Sequence, residues 1–180
     1  MLQIPSPHQE LIDRFSKNSR IAGIVFMLLG LIGILFPAFM SVTSALFFGW
    51  LLLFTGFLAG FHTWNTSRGD WLGWLKTLVL VATGTMIIFD PVPGVAALGI
   101  IFAVYFMFDG ASSTVLAFQM RPAPMWWVVL INGIISLALA LIFVLNWPLG
   151  SMVLVGLFVG ISLFFDGIAL LAISSGVKKL

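Results

Sequence analysis

Two acidic residues, Asp109 and Asp166, stand inside long apolar runs, where a charged side chain is costly. Each is the middle residue of a Phe-Asp-Gly triplet, and Phe-Thr-Gly forms a related triplet earlier in the chain. The three triplets occupy residues 54–56, 108–110 and 165–167, and each ends 19 positions beyond a proline. A carboxylate at such a depth must be paired, hydrated or protonated. Asp109 and Asp166 are therefore candidates for proton-responsive, cation-binding or ligand-binding groups.

Neighbouring hydroxyl groups offer these acids a purely structural role. Ser113 lies one turn after Asp109 and Tyr105 lies one turn before it, while Ser162 lies one turn before Asp166. Serine and tyrosine hydroxyls can satisfy a buried carboxyl group by hydrogen bonding. Two interpretations therefore stay open: polar contacts that hold helices together, or a site for protons or a ligand.

The depth of the acids follows from counting residues. Asp109 lies 18 residues past Pro91 and 12 before Arg121. At helical rise these spacings are about 27 Å and about 18 Å. Asp166 has the same offsets within its own segment, and Thr55 occupies the same level in the first triplet. Lysine in the third apolar segment can reach inward and neutralise one acid. The predicted polar layer consists of Thr55, Asp109, Asp166 and Lys76.

The overall composition is that of an integral membrane protein. Hydrophobic residues make up 61% of the chain and charged residues 8%, whereas soluble domains carry about 25% charged residues. Mean hydropathy is +1.18. The chain has no cysteine, two histidines and none of the common catalytic or nucleotide-binding motifs. We therefore expect neither an enzyme nor a bound cofactor or metal. A net charge of +2 does not favour nucleic acid as a partner.

Six apolar segments are long enough to cross a bilayer, which needs about 17 residues or more. They lie at 20–36, 41–64, 71–89, 94–119, 125–146 and 150–175. Backbone groups in lipid must bond within their own segment or a closed barrel, so these segments are predicted to be helices. The predicted fold is an all-α integral membrane protein with six transmembrane helices and the lipid bilayer as its first partner.

The distribution of positive charge predicts the topology. All eight Lys and Arg residues fall on one side of a six-span arrangement, and the proline turns at 36–37, 90–93 and 147–150 contain none. The positive-inside rule places the charged side and both termini in the cytoplasm. Each pair of spans then forms a hairpin that leaves the cytoplasm, turns at a proline and returns.

The hairpins are predicted to be three parallel repeats within one membrane domain. Their boundaries are 20–68, 69–121 and 122–177, after an N-terminal segment at 1–19. Small residues seven apart place packing glycines on one helix face, since seven residues make nearly two turns. The triplets contribute Gly56, Gly110 and Gly167. Such faces serve either contacts within the chain or a dimer, so a homo-oligomer or another membrane protein is a possible partner.

The segment at 1–19 is the only extended polar stretch. Residues 6–9 (Ser-Pro-His-Gln) have the form of a capping box with Pro7 at the first helical position. Leu11, Ile12 and Phe15 then fall on one side among charged residues. The pattern predicts a short amphipathic helix on the membrane surface, with a disordered terminus as the alternative.

The chain resembles the HdeD family of bacterial acid-resistance membrane proteins. The resemblance rests on GLIGILFP at 30–37, GTMIIFDP at 84–91 and the two Phe-Asp-Gly triplets, and it covers residues 20–177. In the third repeat Leu141 stands where the glycine is expected, so the fifth helix is predicted to pack differently. The resemblance implies tandem hairpins, a bacterial inner-membrane location and a link to acid or general stress. It implies no catalytic residues.

Overall fold

The computed structural model describes the backbone of residues 7–66 and 69–177 and the side chains of residues 18–66 and 69–175. Its helices are α1 (Pro7–Leu35), α2 (Pro37–Thr66), α3 (Trp71–Phe89), α4 (Pro91–Gln119), α5 (Trp126–Leu145) and α6 (Ser151–Val177). Each contains a stretch long and apolar enough to cross a membrane. No strand occurs in the described ranges. The predicted all-α fold with six membrane-spanning helices is confirmed.

Prolines occupy the first position of α1, α2 and α4, because the first helical residue needs no backbone donor. α2 begins at Pro37 and α4 begins at Pro91. Asp90 caps α4, since its Oδ1 accepts a hydrogen bond of 3.2 Å from the backbone N–H of Val92. The turn predicted at Asp90 is thus a helix N-cap.

The polar N-terminal segment continues directly into the first span. α1 runs from Pro7 to Leu35 without a break at residues 19–20, because neither proline nor glycine interrupts the helix there. Pro7 occupies the first helical position, as the sequence indicates. Ser6, the capping residue of the predicted box, lies outside the described residues. The surface position of this segment stays a prediction.

The chain divides into two compact units. One contains α1, the start of α2 through Met40, and α6 from Gly156 onward. The other contains Ser41–Val155, which includes most of α2, all of α3 to α5 and the start of α6.

In the second unit, α2 packs on α3 through glycines. A Cβ atom placed on Gly84 would lie 2.8 Å from the carbonyl oxygen of Gly49 and 2.8 Å from the backbone nitrogen of Leu53. Farther along, a Cβ atom on Gly56 would lie 3.1 Å from the backbone nitrogen of Val81. The residue numbers run in opposite directions, so the helices are antiparallel.

α4 packs on α5 in the same way. A Cβ atom on Gly110 would lie 2.8 Å from both the carbonyl oxygen of Gly133 and the backbone nitrogen of Leu137. One on Gly133 would lie 2.9 Å from the backbone nitrogen of Thr114. Backbone touches backbone here, as in other membrane helix pairs with small residues at the interface.

In the first unit, α1 packs on α6. A Cβ atom on Gly30 would lie 2.7 Å from the carbonyl oxygen of Gly160, and one on Gly23 would lie 2.9 Å from that of Gly167. We call α1·α6, α2·α3 and α4·α5 the glycine-packed pairs. Two of these pairs, α2·α3 and α4·α5, consist of consecutive helices whose connection is not one of the proline turns. The third pair joins the first helix to the last. The boundaries of the three predicted hairpins stay a prediction.

The fifth helix has no glycine at the expected position because its small buried residue is shifted by one position along the chain. Leu141, at the expected spacing before Pro148, is 58% exposed, whereas the neighbouring Ala140 is 7% exposed. α1 and α3 are each separated from the next proline by one residue, but Asn146 and Trp147 separate α5 from Pro148. The extra residue moves the small buried position from Leu141 to Ala140.

Candidate functional site

Asp109 is held by a hydrogen bond between α4 and α5. The Ser136 hydroxyl donates to Oδ2 of Asp109 over 2.7 Å. Ser136 is 5% exposed and Asp109 is half-buried. Asp109 adjoins Gly110, and Ser136 lies three residues after Gly133, on nearly the same side of α5. The close approach of the two glycines thus brings two short side chains within hydrogen-bonding distance.

A second polar contact lies one turn closer to the α4–α5 connection. The side-chain amide of Asn132 donates to the hydroxyl oxygen of Ser113 over 3.4 Å. This is an interhelical hydrogen bond of the kind expected of a polar residue in a membrane helix. We call Asp109, Ser113, Asn132 and Ser136 the α4·α5 polar cluster. Each of its contacts links one helix to the other.

The partner of Asp109 differs from the neighbours along its own helix. Ser113 bonds to Asn132 instead, and Tyr105 is exposed with its ring against Phe106. One signal in the sequence pointed to Ser136. In an antiparallel helix pair, residues at similar distances from the connection lie opposite each other, and Asp109 and Ser136 lie 13 and 14 residues from Pro122.

The other members of the predicted polar layer lie in different surroundings. Thr55 donates to the carbonyl oxygen of Leu51 on its own helix over 2.7 Å. Lys76 is exposed, and no ion pair joins it to a described acid. Asp166 is exposed and has no hydrogen-bonding partner in the described part of the chain. Within their unit, no hydrogen bond links Thr55, Lys76 and Asp109, and a single layer stays a prediction.

An apolar groove of about 510 Å³ lies between α4 and α5. Its lining residues are Ile100, Ala103, Val104, Met107, Leu137, Ala140, Leu141, Phe143, Val144 and Trp147. The groove lies beside Ala103 and Ala140, the positions at which the other two pairs carry glycines. Alanine keeps helices farther apart than glycine does. None of the polar cluster lines this groove, so it gives no access to Asp109.

The described residues contain no group of three His, Asp or Glu that would hold a metal ion. Among the residues whose side chains are described, Arg121 is a cation with aromatic contacts, and it lies outside the spans. The guanidinium of Arg121 lies 3.9 Å from the ring centre of Trp126 and 4.9 Å from that of Phe118. Cation–π contacts of this kind fix the α4–α5 connection beside the ends of both helices.

Comparison with known families identifies an internal repeat. The family model described as a short repeat of unknown function (DUF308) matches twice, at residues 21–89 and 75–145. The starts of the two matches are separated by the same number of residues as Pro37 and Pro91, which are the prolines at the first two turns. An internal repeat is therefore confirmed by two matched units, and the third unit that the triplets and prolines indicate stays a prediction.

Full-length similarity points to one group of curated proteins. The chain is 25% identical to protein HdeD of Escherichia coli K12 over 171 residues, which cover 92% of this chain and 90% of HdeD. HdeD of Escherichia coli O157:H7 and of Shigella flexneri match to the same extent. No solved structure matches the chain. The chain is thus a multi-pass membrane protein that belongs to the family of this short repeat and is similar to HdeD over nearly its whole length.

Proposed function

We propose that this protein is a non-enzymatic component of the bacterial inner membrane that supports survival under acid or general stress. The resemblance to HdeD across nearly the whole chain supports the physiological role. The observation that favours a structural mechanism is the hydrogen bond of 2.7 Å between Asp109 and the buried Ser136. A carboxyl group held in this way joins two helices, and the apolar groove beside it does not reach it.

In the proposed mechanism, the protein acts by keeping the helices of its bundle packed together. Backbone contacts at the glycine-packed pairs and hydrogen bonds in the α4·α5 polar cluster keep helices together without the hydrophobic drive that water supplies. Polar groups that satisfy each other inside the protein do not draw water into the bilayer. A bundle of this kind stabilises the membrane or assists partner proteins when the outside turns acidic.

We expect a topology reporter to find the connections at Asp90–Pro91 outside the cytoplasm and the C-terminus inside it. The reason is that all eight Lys and Arg residues lie on the side away from the proline turns. Alkaline phosphatase fused after Asp90 should be active, and green fluorescent protein fused at the C-terminus should fluoresce. A fusion after Arg121 is the matched control and should lack phosphatase activity. Phosphatase activity at Arg121 but not at Asp90 would reverse the orientation.

In a strain that lacks its own HdeD-type protein, we expect the wild-type chain to raise survival after acid exposure. Asp109→Asn should preserve that survival, because the amide oxygen still accepts the hydrogen bond from Ser136. Survival counts and membrane levels are measured together, with proton flux in vesicles as the second readout. Rescue lost in Asp109→Asn at normal membrane levels, together with altered proton flux, would replace the structural mechanism with a proton-handling one.

A further inference from the structure

The connection between α4 and α5 is apolar except for one arginine. Residues 120–125 read Met-Arg-Pro-Ala-Pro-Met, and all but the first are exposed. The candidate spans end at Gln119 and resume at Trp126, so the connection lies at a boundary of the apolar layer. Met125 is 63% exposed and Trp127 is 56% exposed. Because large apolar and indole side chains favour the interface between lipid and water, the connection is expected to rest among lipid headgroups.

The arginine of this connection, Arg121, is held in one position. Its guanidinium lies 3.9 Å from the ring centre of Trp126 and 4.9 Å from that of Phe118. The backbone N–H of Ala123 donates to the carbonyl oxygen of Met120 over 2.8 Å, which closes a turn around the arginine. Cation–π contacts fix the guanidinium without satisfying its hydrogen-bond donors. The group is therefore ordered before it meets an acceptor.

No acid among the described side chains neutralises Arg121. Its guanidinium forms no hydrogen bond or ion pair with them. Asp90 lies at the opposite end of α4, and Asp109 already bonds within the α4·α5 polar cluster. The α2–α3 connection differs, since its sequence contains Asp70 two residues after Arg68. The α4–α5 connection thus presents an ordered cation with no acid in its own sequence.

We propose that Arg121 binds the phosphate group of an anionic phospholipid. The planar fork of a guanidinium matches a phosphate and can donate two parallel N–H···O bonds to it. Lipid phosphates lie at the level of the connection, just outside the apolar layer. A zwitterionic lipid brings an ammonium group close to its phosphate, and that ammonium repels the guanidinium, so an anionic lipid is favoured. The proposal is independent of the stress role, because its test measures lipid binding and not survival.

Native mass spectrometry of the full-length protein, released from micelles that contain phosphatidylglycerol and phosphatidylcholine, tests the site directly. We expect the wild-type protein to retain phosphatidylglycerol in preference, and Arg121→Gln to bind it roughly fivefold more weakly. Lys76→Gln is the matched control. It removes the same charge from an exposed position near the α2–α3 connection, on the same side of the spans, and should keep the wild-type affinity.

Further arms separate a lipid site from general surface charge and from a soluble anion. Arg121→Lys keeps the charge without the planar fork and should recover part of the binding. Equal unfolding temperatures in phosphatidylcholine show that the variants still fold. Unchanged binding in Arg121→Gln, or an equal loss in Lys76→Gln, would overturn the proposal. Displacement of the lipid by inorganic phosphate would also overturn it, because the site would then take a soluble anion.

Discussion

Replacing Gly110 with valine is expected to prevent the chain from accumulating as a folded membrane protein. A Cβ atom there would lie 2.8 Å from the carbonyl oxygen of Gly133 and the backbone nitrogen of Leu137. These are backbone atoms, so no side-chain rotation can make room, and the helices must move apart. Overpacking of this kind costs at least about 1–3 kcal/mol. Membrane levels and thermal unfolding of the purified protein measure the effect.

Gly69 supplies the matched control for this substitution. A Cβ atom on Gly69 would meet nothing within 4 Å, and the described glycines all have ordinary negative φ angles. Gly69→Val should therefore leave membrane levels and unfolding temperature unchanged. Gly30→Val and Gly84→Val should be as harmful as Gly110→Val, because a Cβ atom at either position would also lie within 2.8 Å of a backbone carbonyl oxygen on the facing helix. A Gly110→Val protein as stable as wild type would show that α4 and α5 do not pack through these glycines.

Ser136→Ala is expected to destabilise the protein by about 1–3 kcal/mol, because it leaves the half-buried carboxyl group of Asp109 without its donor. Asp109→Asn should cost less, since its amide oxygen can still accept the hydrogen bond. The measurement is unfolding of the purified protein in mixed micelles. Thr55→Ala is the control, because the Thr55 hydroxyl bonds only to the Leu51 carbonyl of its own helix.

A double variant separates the lost hydrogen bond from the unpaired acid. Ser136→Ala combined with Asp109→Leu removes donor and acceptor together, so no polar group is left without a partner. The double variant should therefore be more stable than Ser136→Ala alone. Replacing both members of a buried polar pair by apolar residues often costs little stability, because no polar group is left unpaired. Additive effects of the two single changes would show that the two side chains do not interact.

The class of the protein could be predicted from sequence because it depends on local properties. A run of apolar residues long enough to span a bilayer must be helical in lipid, whatever its neighbours are. The helix starts at Pro37 and Pro91 likewise follow from the chemistry of one residue. The repeat is visible because its prolines and glycines recur at nearly constant spacing. The depth of Asp109 and Asp166 follows from counting along a helix.

Which helices pack together, and which side chains bond to each other, depended on how each helix is rotated about its axis. Several small residues occur on each span, and spacing alone does not reveal which neighbour a glycine face meets. The structure joins α1 to α6, α2 to α3 and α4 to α5, and it gives Asp109 the hydroxyl of Ser136 instead of Ser113 or Tyr105. It also places Ala140 where the repeat predicts a glycine at Leu141, because one extra residue precedes Pro148. Composition and spacing thus determined the class of this protein and the positions of its two acids along their helices. Tertiary packing decided which of the acids has a hydrogen-bonding partner. Asp109 lies opposite a serine, and Asp166 lies on an exposed face.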